Sequence, residues 1–290
     1  MAIEAMETGL HVIVEKPAGV YTKQVEEMNA VAAKHPELVY CMDFNQRTNP
    51  LYKKVKDLID SGDLGEMTRV IWIVTDWYRS QSYYDQGGWR ATWDGEGGGV
   101  LLNQNPHNLD LWQWMCGIPK RVKSQVYYGK HRNIEVEDDL YALVEYENGA
   151  TGCYITTVGD APGTNRLEID GTNGKIVVEN NELTFYRLRI PEPEFNATYK
   201  GGLGKPEVWE CKIPIKGTYT SHPGIINNFC DCILKGAKPI APGAEGIRGL
   251  QISNAIHLSS WLNGEWVNIP VDGELFLEKL QEHCKEPVTK

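Results

Sequence analysis

Basic charge is scarce in this chain: 29 Lys and Arg stand against 39 Asp and Glu, a formal net charge of -10. Binding to phosphate backbones needs a basic face, so nucleic acid is excluded as an expected partner. Long apolar runs are missing as well, and no stretch approaches the length that spans a bilayer. The opening residues Ala2-Ile3-Glu4-Ala5-Met6-Glu7 lack the basic segment and apolar centre of a secretory leader. The cysteines are Cys41, Cys116, Cys153, Cys211, Cys230, Cys232 and Cys284. Their odd number and irregular spacing argue against a disulfide framework and for reduced thiols in a cytoplasmic protein. His11, His35, His131, His257 and His283 lack the spacing of a ligand set, so no metal site is expected.

What is present is an ordinary globular composition, 41% hydrophobic and 23% charged over 290 residues. That length predicts one large or two smaller domains. Met1 to Gly9 reads as the end of a helix with Gly9 as its cap, followed by a strand at Leu10 to Val14. Thr22 is placed to cap a helix running to about Lys34, and Leu38 to Asp43 is a second short strand. Tyr52 to Ile59 reads as another helix, giving a parallel βαβ unit. From Thr68 onward the pattern turns antiparallel. Glu147-Asn148-Gly149-Ala150 and Asp170-Gly171-Thr172-Asn173-Gly174-Lys175 are hairpin signals, with further strands at Leu183 to Leu188 and Val208 to Ile215. Helices are predicted near Pro223 to Leu234 and Ala244 to Leu262, and Pro191 to Gly204 reads as a long loop. The expected fold is an α/β piece over 1–60, the partial form of a Rossmann domain, followed over 61–290 by an α+β domain with a large, mainly antiparallel open sheet. No Gly-x-Gly-x-x-Gly phosphate turn occurs anywhere in the chain.

Two motifs carry chemistry. Glu15-Lys16-Pro17 ends the apolar run Leu10-His11-Val12-Ile13-Val14, which places Lys16 at the carboxyl edge of a parallel sheet, where ligands bind in open α/β folds. Gly97-Gly98-Gly99-Val100-Leu101-Leu102-Asn103 then leads to Pro106-His107 and Asp110, a glycine turn opening a helix. Lysine and histidine at one cleft point to proton handling, because buried lysines shift pKa readily and imidazole is the commonest general acid/base. The plain alternatives are an exposed lysine and a helix-start histidine satisfied by a backbone group. Asp110 reads as a first-turn carboxylate favoured by the helix dipole. Asn103 is either a substrate ligand or an internal hydrogen bonder. Trp77-Tyr78-Arg79, Tyr83-Tyr84 and Trp89-Arg90-Ala91-Thr92-Trp93 combine rings that stack on sugars with forks that hold hydroxyls or carboxylates. The same rings would equally serve as packing between domains. His222 can reach the site from its helix start or merely cap the surface.

Taken in order, Gly9 to Pro17, Asn45-Gln46-Arg47, Gly62-Asp63-Leu64-Gly65, Gly97 to Asp110, the turn Gly171 to Gly174 and Val267-Asn268-Ile269-Pro270 resemble the glucose–fructose oxidoreductase / inositol dehydrogenase family. The resemblance implies an NAD- or NADP-binding Rossmann domain, here represented by its C-terminal part. It further implies an open-sheet domain that forms the substrate pocket and the interface of a homodimer or higher homo-oligomer. Lys16 and His107 would then be catalytic, and Asn103, Arg90, Trp89 and Tyr78 would face a sugar or polyol. Glu15, Lys16, Pro17 and Asn45 would line the cofactor. Family members commonly carry aspartate where Asn103 stands, and asparagine cannot take a proton. The implied activity is a dehydrogenase moving hydride between a carbinol carbon and the cofactor. The rivals are a non-catalytic sugar-binding and dimerisation module, and an enzyme that retains NAD and cleaves glycosides through transient oxidation.

Overall fold

β-Branched and apolar residues dominate the short segments before Glu15 and Asp43, and each forms a strand of the first sheet. The computed structural model describes residues 1–285. Helix α1 (Ala2–Glu7) stops ahead of Gly9, whose φ of 82° turns the chain into β1 (Val12–Val14). Helix α2 (Thr22–Ala32) buries Val25 and Met28. Thr22 is inside its first turn and not its cap; Tyr21 holds the cap position, and the Thr22 N–H is satisfied instead by Asn254 Oδ1 at 3.1 Å. β2 (Tyr40–Met42) pairs in parallel with β1, Ile13 opposite Cys41. A 3-10 turn, Asn45–Thr48, then leads to α3 (Pro50–Asp60), where the Asn49 side chain accepts the Leu51 N–H at 3.0 Å. The outer edge of β2 is covered from far along the chain: Met42 N–H donates to the Ala241 carbonyl at 2.9 Å, and Cys41 bridges Pro242.

The second part continues through β3 (Met67–Val74), α4 (Gln81–Tyr84), α5 (Pro106–Cys116), β4 (Arg121–Tyr128), β5 (Glu137–Glu145) and β6 (Thr151–Thr157). β7 (Asn165–Gly171), β8 (Gly174–Glu179), β9 (Glu182–Leu188), α6 (Glu192–Thr198) and β10 (Val208–Lys212) follow. The described chain closes with α7 (Ser221–Lys235), α8 (Gly246–Trp261), β11 (Val267–Asn268) and α9 (Gly273–Lys285). Nine strands form one sheet in the order β10-β9-β8-β7-β3-β6-β5-β4-β11. Every neighbouring pair is antiparallel except β3 with β6, which run parallel. The segment 191–204, expected to be loop throughout, contains α6; Phe195 and Tyr199 stack one turn apart with ring centroids 4.8 Å apart. Aromatic stacking at i,i+4 supplies a helical turn that the flanking Pro and Gly content hid.

Strand register sorts the sheet into two faces. Val70, Trp72 and Val74 lie beside Gly152, Tyr154 and Thr156, and these beside Val144, Ala142 and Leu140. All are buried beneath the helical layer of α5 and α8. Trp72 stacks on Trp112 of α5 at 6.4 Å and meets Tyr154 edge-on at 6.5 Å. The alternate residues, Ile71, Ile73, Cys153, Ile155, Tyr141 and Leu143, occupy the opposite face. There Tyr141 is 47% and Leu143 48% exposed.

Arg47 joins the two parts. Its guanidinium is 1% exposed and forks onto Asp110 of α5, Nε to Oδ2 at 2.8 Å and Nη2 to Oδ1 at 2.6 Å. Nη1 reaches Glu245, ahead of α8, at 2.6 Å. Burial works against the Arg47 charge, but Asp110 and Glu245 outweigh it and hold the guanidinium above its ordinary pKa. Breaking such a pair from one side leaves a buried charge uncompensated, at about 3–5 kcal/mol. Arg47→Met is therefore expected to lower unfolding free energy by roughly that amount in urea titrations, and Arg47→Met with Asp110→Leu to recover part of the loss.

Candidate active site

The carboxyl edge of β1 and β2 and the start of α5 converge. Lys16 leaves β1 and its half-buried side chain donates from Nζ to the Asn103 carbonyl at 2.8 Å. Asn103 ends the glycine turn four residues before His107. That turn has a defined shape for two reasons. Gly97 adopts φ 78°, and a Cβ on Gly99 would lie 2.2 Å from the Glu137 carbonyl oxygen, so that position admits only glycine. The buried Glu137 carboxylate then accepts the Gly99 N–H at 2.7 Å and the Leu101 N–H at 2.9 Å. A strand residue of the large sheet thus fixes the loop that carries the Lys16 acceptor.

His107 sits in the first turn of α5 with its Nδ1 buried and unpartnered, and the Phe44 ring meets it edge-on at 6.4 Å. Burial first, then the charges of Lys16 and His222, push its pKa down to about 4. The imidazole is therefore neutral at ordinary pH. Burial likewise lowers Lys16, opposed by Glu15 and Glu96, with Arg79 adding to the decrease.

The residues expected along the cofactor edge are here too. Glu15 is exposed and accepts the Lys16 N–H at 3.3 Å. Pro17 lines a small apolar cavity of about 20 Å³ together with Phe44, Leu101 and Pro106. Asn45 is buried, its Nδ2 2.7 Å from His222 Nε2, and His222 Nδ1 lies 2.9 Å from Asp43 Oδ2. His222, at the start of α7, thus belongs to the site and is not merely a surface cap. Asp43 was not singled out in the sequence, although its place directly after β2 was the available signal. Glu15, Asp43 and His222 also bring ligand-type atoms within 4.8 Å of one another, but both imidazole nitrogens are already engaged by Asp43 and Asn45. Asp110 is structural as expected, but for a different reason. It lies beyond the first turn of α5 and owes its place to Arg47, with Gln113 adding a bond at 2.9 Å, and not to the helix dipole.

On the other side, Arg90 Nη1 donates to the Tyr83 hydroxyl at 2.7 Å, and that hydroxyl lies 3.4 Å from Asn103 Oδ1. The Asn103 amide nitrogen donates to Glu96 Oε1. The Trp89 and Tyr78 rings are 53% and 49% exposed and each supports an arginine, Arg90 at 4.8 Å and Arg132 at 5.0 Å. Glu96 is the residue that sequence reasoning passed over. Its only signal was an acidic side chain directly before the triple glycine.

Residues 52–177 match the family model described as the GFO/IDH/MocA C-terminal domain. That segment thus carries the C-terminal domain of the GFO/IDH/MocA family, and the chain is similar over most of its length to dehydrogenases and oxidoreductases. It is 25% identical over 305 residues to levoglucosan dehydrogenase of Pseudarthrobacter phenanthrenivorans, covering 93% of this chain and 76% of that protein. It is 26% identical over 281 residues to scyllo-inositol 2-dehydrogenase (NAD(+)) of Bacillus subtilis, covering 93% and 74%. The WlbA dehydrogenase from Bordetella pertussis, solved in complex with NADH and UDP-GlcNAcA, superposes with a TM-score of 0.74 at 26% identity, covering 93% and 75%. The chain therefore spans about three quarters of the length of these family members.

The low pKa of His107 has a consequence for stability. An unfolded histidine binds its proton near pH 6.5, whereas the folded one stays neutral down to about 4. Between those values the unfolded state holds more protons, so stability falls as pH drops through the window. His107→Gln removes that contribution. Its melting temperature should decline less steeply than wild type between pH 7 and 4.5, the curves differing by roughly 2 kcal/mol at the acid end.

Proposed function

We propose that the chain oxidises a sugar or polyol hydroxyl, with Lys16 and His107 handling the hydroxyl proton. The observation that carries this reading is the bond from Lys16 Nζ to the carbonyl of Asn103, which brings a basic amine beside the turn that opens onto His107. The cofactor is NAD or NADP. The edge fits such a group: Asp43 Oδ1 and Asn45 Oδ1 are buried acceptors without partners, beside Glu15, Lys16 and Pro17. These residues would hold it, and when bound it supplies the hydride chemistry.

The Lys16 ammonium holds the substrate hydroxyl oxygen and lowers the cost of removing its proton. His107, neutral and with a free lone pair, accepts that proton. Asp43 and Asn45 fix His222 beside it, and burial together with the Lys16 ammonium discourages a standing positive charge on His107 and favours onward release of the proton. Arg90, Tyr83 and Trp89 offer donors and ring faces to the rest of the polyol.

The chain, supplied with NAD or NADP and a panel of polyols and hexoses, is assayed by reduced-nicotinamide absorbance. His107→Ala should lower turnover by roughly 10²–10⁴ and erase the acidic limb of the pH profile. Unchanged turnover would reject the assignment.

The open face of the large sheet supports self-association as part of the same reading. Register places Leu143, Cys153 and Ile71 in one row and Tyr141, Ile155 and Ile73 in the next, an apolar stripe bordered by Lys123 and Gln125 and by Glu168 and Arg166. Such a face is ordinarily covered in a stable assembly, and a second copy covers it symmetrically. Leu143→Glu should convert the oligomer to monomer in analytical ultracentrifugation; a sedimentation coefficient matching wild type would count against the proposed interface.

A further inference from the structure

We propose that Glu96 is a positioning residue of this site, locking the Asn103 side chain and adding, behind Glu15, a second counter-charge to the Lys16 amine. Asn103 is committed at three points. Its carbonyl accepts Lys16 Nζ at 2.8 Å, its Oδ1 lies 3.4 Å from the Tyr83 hydroxyl, and its Nδ2 donates to Glu96 Oε1. An amide so engaged is not a free ligand for a substrate hydroxyl; it is a spacer between Lys16 and a carboxylate. The second oxygen of Glu96 accepts the Ala91 N–H at 2.7 Å. Ala91 has φ 56°, a left-handed conformation that a residue with a Cβ adopts only when its surroundings hold it there. Its carbonyl is held as well, by the Glu135 N–H at 3.2 Å. Both oxygens of Glu96 are therefore directed, one to the arginine- and tryptophan-bearing turn and one to the residue that touches Lys16.

The titratable groups around the Lys16 amine come from four places. Glu15 is its chain neighbour and exposed, Glu96 approaches from the flank of the glycine turn, Arg79 from the segment after β3, and His107 from α5. Arg79 opposes protonation of the amine, and His107 is neutral at ordinary pH. Of the two carboxylates, Glu96 is the one partly shielded from solvent and fixed through both oxygens. This inference rests on the dehydrogenase reading only for its consequence, not for its test.

The test is the titration of the Lys16 amine, followed by trace acetylation with acetic anhydride over a pH series and peptide mass spectrometry. Neither cofactor nor turnover is needed, so failure here leaves the turnover assay free to succeed, and the reverse holds too. Glu96→Gln keeps an acceptor for the Ala91 N–H and removes the charge; the Lys16 midpoint should fall by about 0.5–1 pH unit. Exchanging the two groups, Glu96→Gln with Asn103→Asp, returns a carboxylate beside the amine and should bring the midpoint back toward wild type. An unchanged midpoint in folded Glu96→Gln protein, or an exchanged protein that stays at the Glu96→Gln value, would overturn the proposal.

Discussion

A buried guanidinium holds the two halves of this molecule in one geometry. Arg47 belongs to the turn that leaves the parallel two-stranded sheet, and Asp110 belongs to the helix that carries His107. Their bidentate contact at 2.6 and 2.8 Å fixes the distance between the β1 and β2 edge and the first turn of α5. Glu245 extends the lock to α8, whose contact with β4 is the main seat of the helical layer on the large sheet. Charges taken this far out of water tolerate little displacement, because a lost partner costs several kcal/mol. The strand edge that bears Lys16 and the helix start that bears His107 are therefore held together by construction and not by loop sampling.

A second device works on the loop itself. Glu137 projects from the start of β5 and gathers two N–H groups of the glycine turn, while the close approach at Gly99 leaves no room for a side chain. The site is thus built from three rigid sources: a parallel strand edge, an antiparallel strand and a helix start. Desolvation then does the electrostatic work, pushing both the Lys16 amine and the His107 imidazole toward their neutral forms. The nearby carboxylates restrain that tendency at Lys16 and leave His107 as the free base.

Much of this was legible in residue order because local rules dominate locally. Asn148-Gly149 and Thr172-Asn173-Gly174 specify hairpins through turn chemistry, and the β5–β6 and β7–β8 pairs follow from them. The parallel βαβ opening and the placement of Lys16 at its edge were readable for the same reason. Long-range pairing was not. Nothing local says that β3 runs parallel to β6, or that Ala241 and Pro242 return to cover β2. Strand β4 escaped notice because its inward set, Val122, Ser124 and Val126, includes a serine satisfied only by α8 through Ile256 and Ser259. Helix α9 buries only Phe276 and Leu280 and gives a weak stripe. In the site, Asn103 was singled out as a substrate ligand or internal hydrogen bonder, and the folded turn engages it internally; Glu96 was not singled out, because its meaning lies in a contact that only the folded turn creates.

The central claim is that one hydroxyl oxygen is shared by the Lys16 amine and the His107 imidazole. A crystal structure of the chain grown with NADH and a polyol tests it most directly. The account predicts a polyol oxygen within about 3 Å of Lys16 Nζ and of a His107 ring nitrogen. A polyol seated instead in the hollow of about 540 Å³ on the large sheet, between Arg69, Lys175 and Tyr186, with Lys16 and His107 untouched, would contradict it.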